Sequence, residues 1–468
     1  MLSRVRRRLR TMVFLTPGAS LFPLAAFLAA LLAFGRAALP AGAASEQVWL
    51  ALSDVHLDIF ARSSRPSSYG FDTNVALLES AVAQMKRTVP DPAVVLISGD
   101  FLMHRFLRHA GGKSAADDAG LASMRLIAAV LGRSFPTSRF AIALGNNDIP
   151  CGDYRSASGS RYLAAVAAIW KPLVDRRGAS PNFEASFLRG GYYTATLPLP
   201  RLRLVVLNTV PFSPEYGGNC PSGQDPAPAE LTWLQSILRD TPPGIRNIVL
   251  MHIPPGFDAF ATEYAHDFIA WPFLKARYAS GLLDALENSP GSVLYAIAGH
   301  THRFDFRLAG GVPIVGLGAL SPIYANNPTY YALRLARDGT LRDIDIYGFD
   351  EDRGKWLPPR SFDRAWGVRR LDGASLARLH ASIAASSAVR AAWNRQASGW
   401  SSSVDDPEEP WGKGWRVAWC AQDALASRFA ACAGTQRRER TLIALVVLAL
   451  CATATLVLLL VRRRRRRA

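Results

Sequence analysis

Five short apolar runs in the middle of the chain, at 48–52, 94–97, 140–144, 247–251 and 293–298, constrain its fold more than any other feature. They are continuous rather than alternating, which is how strands buried on both faces read. Helical patterns lie between them at 74–85, 121–131 and 274–286, and strands alternating with helices predict an α/β sheet. A further set of strand-like segments, 192–197, 203–208, 312–316, 330–335 and 342–347, predicts a second sheet packed on the first. Residues 350–372, rich in Pro, Arg and Trp, read as a connection, and 374–385, 388–393 and 418–432 read as helices beyond it.

Each of the five runs stops at polar residues of one kind. The first is followed by Asp54 and His56, the second by Gly99-Asp100, the third by Gly145-Asn146-Asn147-Asp148, the fourth by His252 and the fifth by Gly299-His300-Thr301-His302. In open α/β sheets the ligand site lies beyond the carboxyl ends of the strands, so residues far apart in sequence are expected to converge there. Asp54 with His56, and His300 with His302, are two apart, a spacing that puts both side chains of an extended segment on one side. Five cysteines are too few for a zinc ribbon or an iron–sulfur cluster. Imidazole, carboxylate and amide oxygen without thiolate are the donors of Zn, Fe, Mn or Co. The set suits two divalent metal ions sharing a carboxylate, with Asp100 the candidate for the shared ligand.

In this order, D-x-H, G-D, G-N, H and G-H-T-H resemble the motifs of the calcineurin-like metallophosphoesterases. The resemblance implies a two-sheet αββα sandwich, one metal held by Asp54, His56 and His302, the other by Asn146, His252 and His300, and Asp100 bridging them. It also implies attack on phosphorus by a metal-bridging hydroxide. Within that superfamily, His252-Ile253-Pro254-Pro255-Gly256 and the helical tail with Cys420 and Cys432 are most similar to the acid sphingomyelinase-like phosphodiesterases.

One position departs from the pattern. The family commonly has G-N-H-D/E, and Asn147 stands where the His would be. Asn donates a hydrogen bond but transfers no proton. The G-N-N-D form resembles the endopolyphosphatases, whose phosphoanhydride substrates have good leaving groups. His104, four residues after Asp100, is the expected replacement acid, since acid sphingomyelinase-like members have a His at that spacing; the alternative is a solvated loop histidine beside Arg105 and Arg108. Asp148 is expected to orient a ligand. Asn208 either positions substrate or makes a turn. Tyr154, Tyr216 and the aromatic-rich 258–274 segment are candidates for the walls of a cleft.

The net charge of +17 sits mostly at the two ends: residues 1–43 carry six arginines and no acid, and 437–468 carry nine arginines against Glu439. The middle is nearly balanced, which argues against a nucleic-acid partner. Residues 1–43 read as a signal peptide, with an apolar stretch at 21–34 and Ala41-Gly42-Ala43 as cleavage site, or as an uncleaved N-terminal anchor. Residues 441–461 are apolar, uncharged and long enough for a transmembrane helix, and the arginines at 462–467 are expected on the cytoplasmic side. The expected division is therefore a catalytic domain at 44–350, a linker and helical extension at 351–436, the membrane helix and an Arg-rich tail. The extracytoplasmic part would be periplasmic if the arginine-rich, lysine-poor composition marks a Gram-negative source. Disulfides become possible there. With Cys451 inside the span, Cys151 with Cys220 and Cys420 with Cys432 are the natural pairs, free thiols being the alternative. Continuous helix would hold the second pair roughly 18 Å apart, so that bridge requires an intervening turn.

The expectation is a membrane-anchored, extracytoplasmic phosphoesterase acting on a phosphorylated small molecule, a lipid head group or polyphosphate through a phosphodiester or phosphoanhydride bond. The alternative is a metal-binding scaffold or binding module of the same fold without catalysis.

Overall fold

The computed structural model describes residues 46–265, 269–289, 293–309, 311–402, 415–422, 426–434 and 445–453. The expected signal segment and most of the expected membrane helix lie outside these residues.

In chain order, the elements that position the site begin with β1 (Gln47–Leu52), α1 (Val75–Thr88), β2 (Val94–Ile97), α2 (Lys113–Ser134), β3 (Arg139–Ile142) and α3 (Arg161–Val174). They continue with α4 (Phe183–Gly190), β4 (Tyr193–Thr196), β5 (Leu202–Val206), α5 (Ala227–Arg239), β6 (Arg246–Leu250), α6 (Ala276–Glu287) and β7 (Val293–Ala298). Then come β8 (Asp305–Ala309), β9 (Val312–Gly316), β10 (Thr329–Leu335), β11 (Leu341–Asp350), β12 (Lys355–Trp356) and β13 (Arg360–Ser361). Helices α7 (Gly373–Ala385), α8 (Ser387–Ala397), α9 (Trp415–Cys420) and α10 (Ala426–Ala433) complete the unit.

Two sheets form. One is seven-stranded, in the order β12-β11-β10-β1-β2-β3 with β13 also on β11; the other is six-stranded, in the order β4-β5-β6-β7-β9-β8. Within the first, β1, β2 and β3 run parallel; within the second, β5, β6, β7 and β9 do. The five apolar runs are thus divided three and two between the sheets. This corrects the expectation of one sheet built from the runs and a second from the remaining strands: β10 and β11 join β1, while β4, β5, β8 and β9 join β6 and β7. Partners such as Trp49 and Leu333 are far apart in sequence, so the pattern of a single strand carries no sign of its neighbour.

The continuity of the runs has a packing cause. Ile248 and Leu250 of β6 face the core between the sheets, while Val249 and Met251 pack on Leu231, Leu234, Tyr278 and Leu282 of α5 and α6. Tyr295 and Ile297 of β7 divide in the same way from Ala296 and Ala298. From Ile248 to Leu250 and from Tyr295 to Ala298 every position is buried, and every one is apolar or aromatic. Helix α1 starts where the Asn74 side chain accepts the Leu77 N–H (2.9 Å) and buries Leu77, Leu78, Ala81, Val82 and Met85 along one face.

At one margin the sheets are joined by a side chain. The Tyr193 hydroxyl accepts the Ile142 N–H (2.9 Å) and donates to the Ile142 carbonyl (3.0 Å), satisfying the unpaired edge of β3 as a further strand would.

Other expectations change in detail. The 418–432 segment is not one helix: α9 ends at Cys420, Ala421 and Gln422 turn, and Cys420 and Cys432 are disulfide-bonded with Cα atoms 5.8 Å apart. Cys151 and Cys220 form the other bridge. Residues 350–372 are more than a connection, since β12 and β13 extend the first sheet. No helix among the described residues is long and apolar enough to cross a membrane; of the segment expected to span, 445–453 are helical, with Leu445, Val446, Val447, Leu448 and Leu450 exposed.

Replacing Tyr193 by Phe leaves a buried N–H and carbonyl of β3 unpaired while keeping the ring, and is expected to destabilise the fold by about 1–3 kcal/mol. Urea unfolding measures this; an unchanged midpoint would contradict the bridging role.

Candidate metal centre

The carboxyl ends of β1, β2 and β3 meet those of β6 and β7 at one end of the sandwich. Asp54 lies just beyond β1, and both its carboxylate oxygens accept the backbone N–H of His300, beyond β7 (3.2 and 3.1 Å). His252, beyond β6, contacts the carbonyl of Ser98, beyond β2 (2.8 Å). Asp54, His56, Asp100, His300 and His302 all have positive φ, at 50, 42, 55, 76 and 57°, a conformation that costs a non-glycine residue roughly 1–2 kcal/mol. Five such residues at one spot mark a constraint other than stability.

Two glycines of the motifs exist for close approach. A Cβ on Gly299 would collide with Ser53 Oγ and lie 2.8 Å from Asp54 Oδ2 and 2.9 Å from Ser98 Oγ; one on Gly145 would strike the backbone and carboxylate of Asp100.

The donor atoms converge. A carbonyl only accepts, so the His56 Nδ1 facing Leu102 O (3.0 Å) carries a proton, which leaves the neutral ring with a lone pair on Nε2. That Nε2 lies 3.1 Å from His302 Nε2, 3.4 Å from Asp100 Oδ2 and 3.8 Å from Asp54 Oδ1. His302 Nε2 is 3.5 Å from Asp54 Oδ1. The Nδ1 of His252 is likewise committed to Ser98 O, and its Nε2 lies 3.1 Å from Asn146 Oδ1 and 3.2 Å from Asp100 Oδ2. Lone-pair groups from five strand ends thus form two clusters that share the Asp100 carboxylate. Such an array is stable only around positive charge, and these donors fit two divalent cations.

Without metal, protons take that role. Burial opposes ionisation of Asp54, but His302 and the hydrogen bond with His56 outweigh it and hold the carboxyl below its ordinary range. Burial of Asp100 is outweighed in the same way, by His252 and then His56. Burial would lower His56 and His252, yet Asp100 raises them to about 10 and about 9. Burial depresses His300 to about 3, with His252 adding to the effect, and His302 to about 3, with His56 acting against the pull of Asp54.

The remaining predicted residues fall into three groups. Asn147 lies at the centre, with its N–H on Asp100 Oδ1 (2.8 Å) and its Nδ2 on Asp100 Oδ2 (3.0 Å). Asp148 accepts the N–H groups of Gly145 (2.6 Å), Phe101 (2.6 Å) and Asp100 (3.1 Å), tying the loop after β3 to that after β2; burial, then the Asp100 charge, push its carboxyl up to about 7. His104 is not a solvated loop residue. Its ring stacks on His56 with centroids 3.9 Å apart, its Nδ1 meets Asp72 Oδ1 (2.9 Å), and its Nε2 lies 3.3 Å from the Tyr324 hydroxyl.

Asn208 and Tyr216 belong elsewhere. Asn208 donates its Nδ2–H to Gly190 O (2.7 Å) and accepts the Val210 N–H on Oδ1 (3.3 Å), so its amide builds a turn away from the candidate metal ligands. Tyr216 pairs with Ser156 Oγ (2.6 Å). His300 faces the cleft wall, between the rings of Tyr154 and Phe273 at 6.2 and 5.2 Å.

Sequence reasoning missed Asp72. It accepts the His104 N–H (2.8 Å) as well as contacting the ring, and Ser321 Oγ donates to it (2.9 Å). Its burial is outweighed by the bond from His104, which holds it down to about 2. Asp72 belongs to no strand-end run and precedes the cap of α1, so its position carried no signal.

A cleft of about 460 Å³ opens over the centre. Its walls include His104, Asn147, Tyr154, His300 and His302, and on the far side Trp393 and Trp419 from the C-terminal helices.

Sphingomyelinase phosphodiesterase D of Dictyostelium discoideum is 24% identical over 294 residues, 60% of this chain and 61% of that protein. Acid sphingomyelinase-like phosphodiesterase 3b of Mus musculus is 29% identical over 244 residues, 51% of this chain and 49% of its own length. Cyclic GMP-AMP phosphodiesterase SMPDL3A of Rattus norvegicus is 25% identical over 361 residues, 69% of this chain and 75% of that protein. The chain thus spans about half to three fifths of the first two. No protein-family model matches it.

Because His56 and His252 hold protons that metal must displace, loading near neutral pH is expected to release about two protons and to tighten about a hundredfold per pH unit until pH nears 9. Calorimetric titration with Mn²⁺ in buffers of different ionisation enthalpy counts the protons; a count near zero would contradict the assignment.

Proposed function

We propose that this chain, a distant homologue of the acid sphingomyelinase-like phosphodiesterases with the calcineurin-like metallophosphoesterase fold, is a metal-dependent hydrolase of a phosphodiester or phosphoanhydride. The observation that carries the reading is the pair of donor clusters sharing Asp100 at the floor of the cleft. Asp54, His56 and His302 would hold one ion, Asn146, His252 and His300 the other, with Asp100 between. Bound there, two divalent ions activate water as a nucleophile and neutralise phosphoryl oxygens.

The chain's own groups set the rest. Asn147, with both N–H donors on Asp100, fixes the shared carboxylate and offers no proton to a leaving group. His104 supplies one: Asp72 holds its Nδ1, which leaves Nε2 on the side of His302 and Tyr324. A protonated Nε2 there donates to the departing oxygen. Substrates with good leaving groups need this less, which keeps phosphoanhydrides alongside diesters as candidates.

The two disulfides indicate an extracytoplasmic domain. The uncharged 441–461 segment, with its exposed apolar helix at 445–453, supports the reading that this domain is anchored in a membrane, with 462–468 on the cytoplasmic side.

The test compares Asp100→Asn and His104→Ala on a nitrophenyl and an alkyl phosphodiester. D100N is expected to lose both metal and turnover. H104A is expected to keep its metal content and lose roughly 10²–10⁴-fold in kcat on the alkyl ester, with a smaller loss on the nitrophenyl ester. Equal losses on the two esters would remove His104 as the acid, and bound metal without turnover of either ester or of polyphosphate would favour a binding module.

A further inference from the structure

Four large apolar side chains of the folded unit are exposed among the described residues apart from the 445–453 helix: Phe71 (66%), Phe260 (51%), Ile269 (51%) and Tyr324 (62%). All four belong to segments around the mouth of the cleft. Phe260 and Tyr324 line it. Phe71 adjoins Asp72, and the Gly70 N–H donates to Pro322 O (3.3 Å), which sets this turn beside the segment carrying Tyr324. Ile269 lies on the returning limb of the loop that carries Phe260, where Phe257 bridges to Pro272 and Trp271 N–H donates to Thr262 Oγ1 (3.0 Å). Among the described residues outside the 445–453 helix, the large exposed apolar side chains gather at this one mouth, which marks a surface built to be covered.

The exit of the chain lies against the same rim. Phe429 of α10 stacks on Phe257 with centroids 4.1 Å apart, and Cys420, tied to Cys432, packs in the same small core. Residue 441, the first of the uncharged segment, follows Gly434 by only seven positions, at most about 25 Å of extended chain. A segment seated in a bilayer would therefore hold the 257–272 loop close to the lipid surface.

We propose that the apolar rim docks on the surface of a lipid bilayer, with the cleft mouth turned toward the head groups. This rests on the reading that 441–461 is a membrane anchor. Phe71, Phe260, Ile269 and Tyr324 enter the head-group boundary, and the partly exposed Trp271, whose ring N–H reaches Glu215 (3.4 Å), sits at the polar margin as amphipathic rings do. A phosphodiester in the head-group layer then reaches the metal centre without leaving the membrane.

The test uses the full chain, Cys451→Ala, in phosphatidylcholine vesicles. An environment-sensitive fluorophore is attached at Ile269→Cys or, as a control beyond the amino ends of the strands, at Arg133→Cys. Doxyl-labelled lipid is expected to quench about half or more of the signal at 269 and little of that at 133, as for side chains at the head-group boundary. Equal, weak quenching at both positions in chain that floats with the vesicles overturns the docking and leaves the anchor intact. Failure to float overturns both. A signal at 269 that is shielded but unquenched, in chain whose mass grows with concentration, puts a second copy on the rim and overturns the lipid assignment.

Discussion

Two carboxylates buried side by side, Asp54 and Asp100, are the constraint on which the rest of this structure depends. Each is fully enclosed, and an unpaired buried charge is opposed by several kcal/mol of lost hydration. The protein surrounds the pair with imidazoles rather than with lysine or arginine. Imidazole can carry a proton or give a lone pair to a cation, so the same geometry tolerates both states. The left-handed backbone at five of the candidate ligand positions shows how far the chain is bent to aim these groups.

That arrangement sets the architecture. Donors come from both sheets, so the sheets must meet at their carboxyl ends, and the contacts there are made by groups with no room to spare: Ser98 Oγ to Ser53 Oγ at 2.6 Å, Ser53 onto Asp54, and glycines where any side chain would collide. Asp148 locks two of the loops by accepting their N–H groups. The centre is therefore a product of the sandwich core, and its precision derives from rigid strands.

Much of this was legible in the sequence because the physics is local. A strand buried on both faces is apolar over most of its length, so the five runs stood out, and the polar residues that follow them marked the edge where the donors gather. What was not legible depends on distant partners. The division of the runs between two sheets follows from pairings such as β1 with β10, and Asp72 becomes important only once folding brings it to His104, 32 residues away. Asn147 was visible as a departure, but its hold on Asp100 was not. The turn between Cys420 and Cys432 followed from helix geometry as a condition of the bridge; its place at Ala421 and Gln422 required the neighbours that receive it, Leu308 and Asp305.

The C-terminal helices finish a site that the sandwich leaves open on one side. Trp393 and Trp419 form the wall facing the centre, held by the stacking of His380 on Trp419 and by the Arg307 contact with the Ala421 carbonyl. The central claim remains the paired cation site. Anomalous scattering at the metal absorption edge, from crystals grown with Mn²⁺, tests it most directly. Two peaks flanking the Asp100 carboxylate, one against His56 and His302 and one against His252 and Asn146, are the predicted result. No peak at Asp100, or one confined to the protein surface, would contradict it.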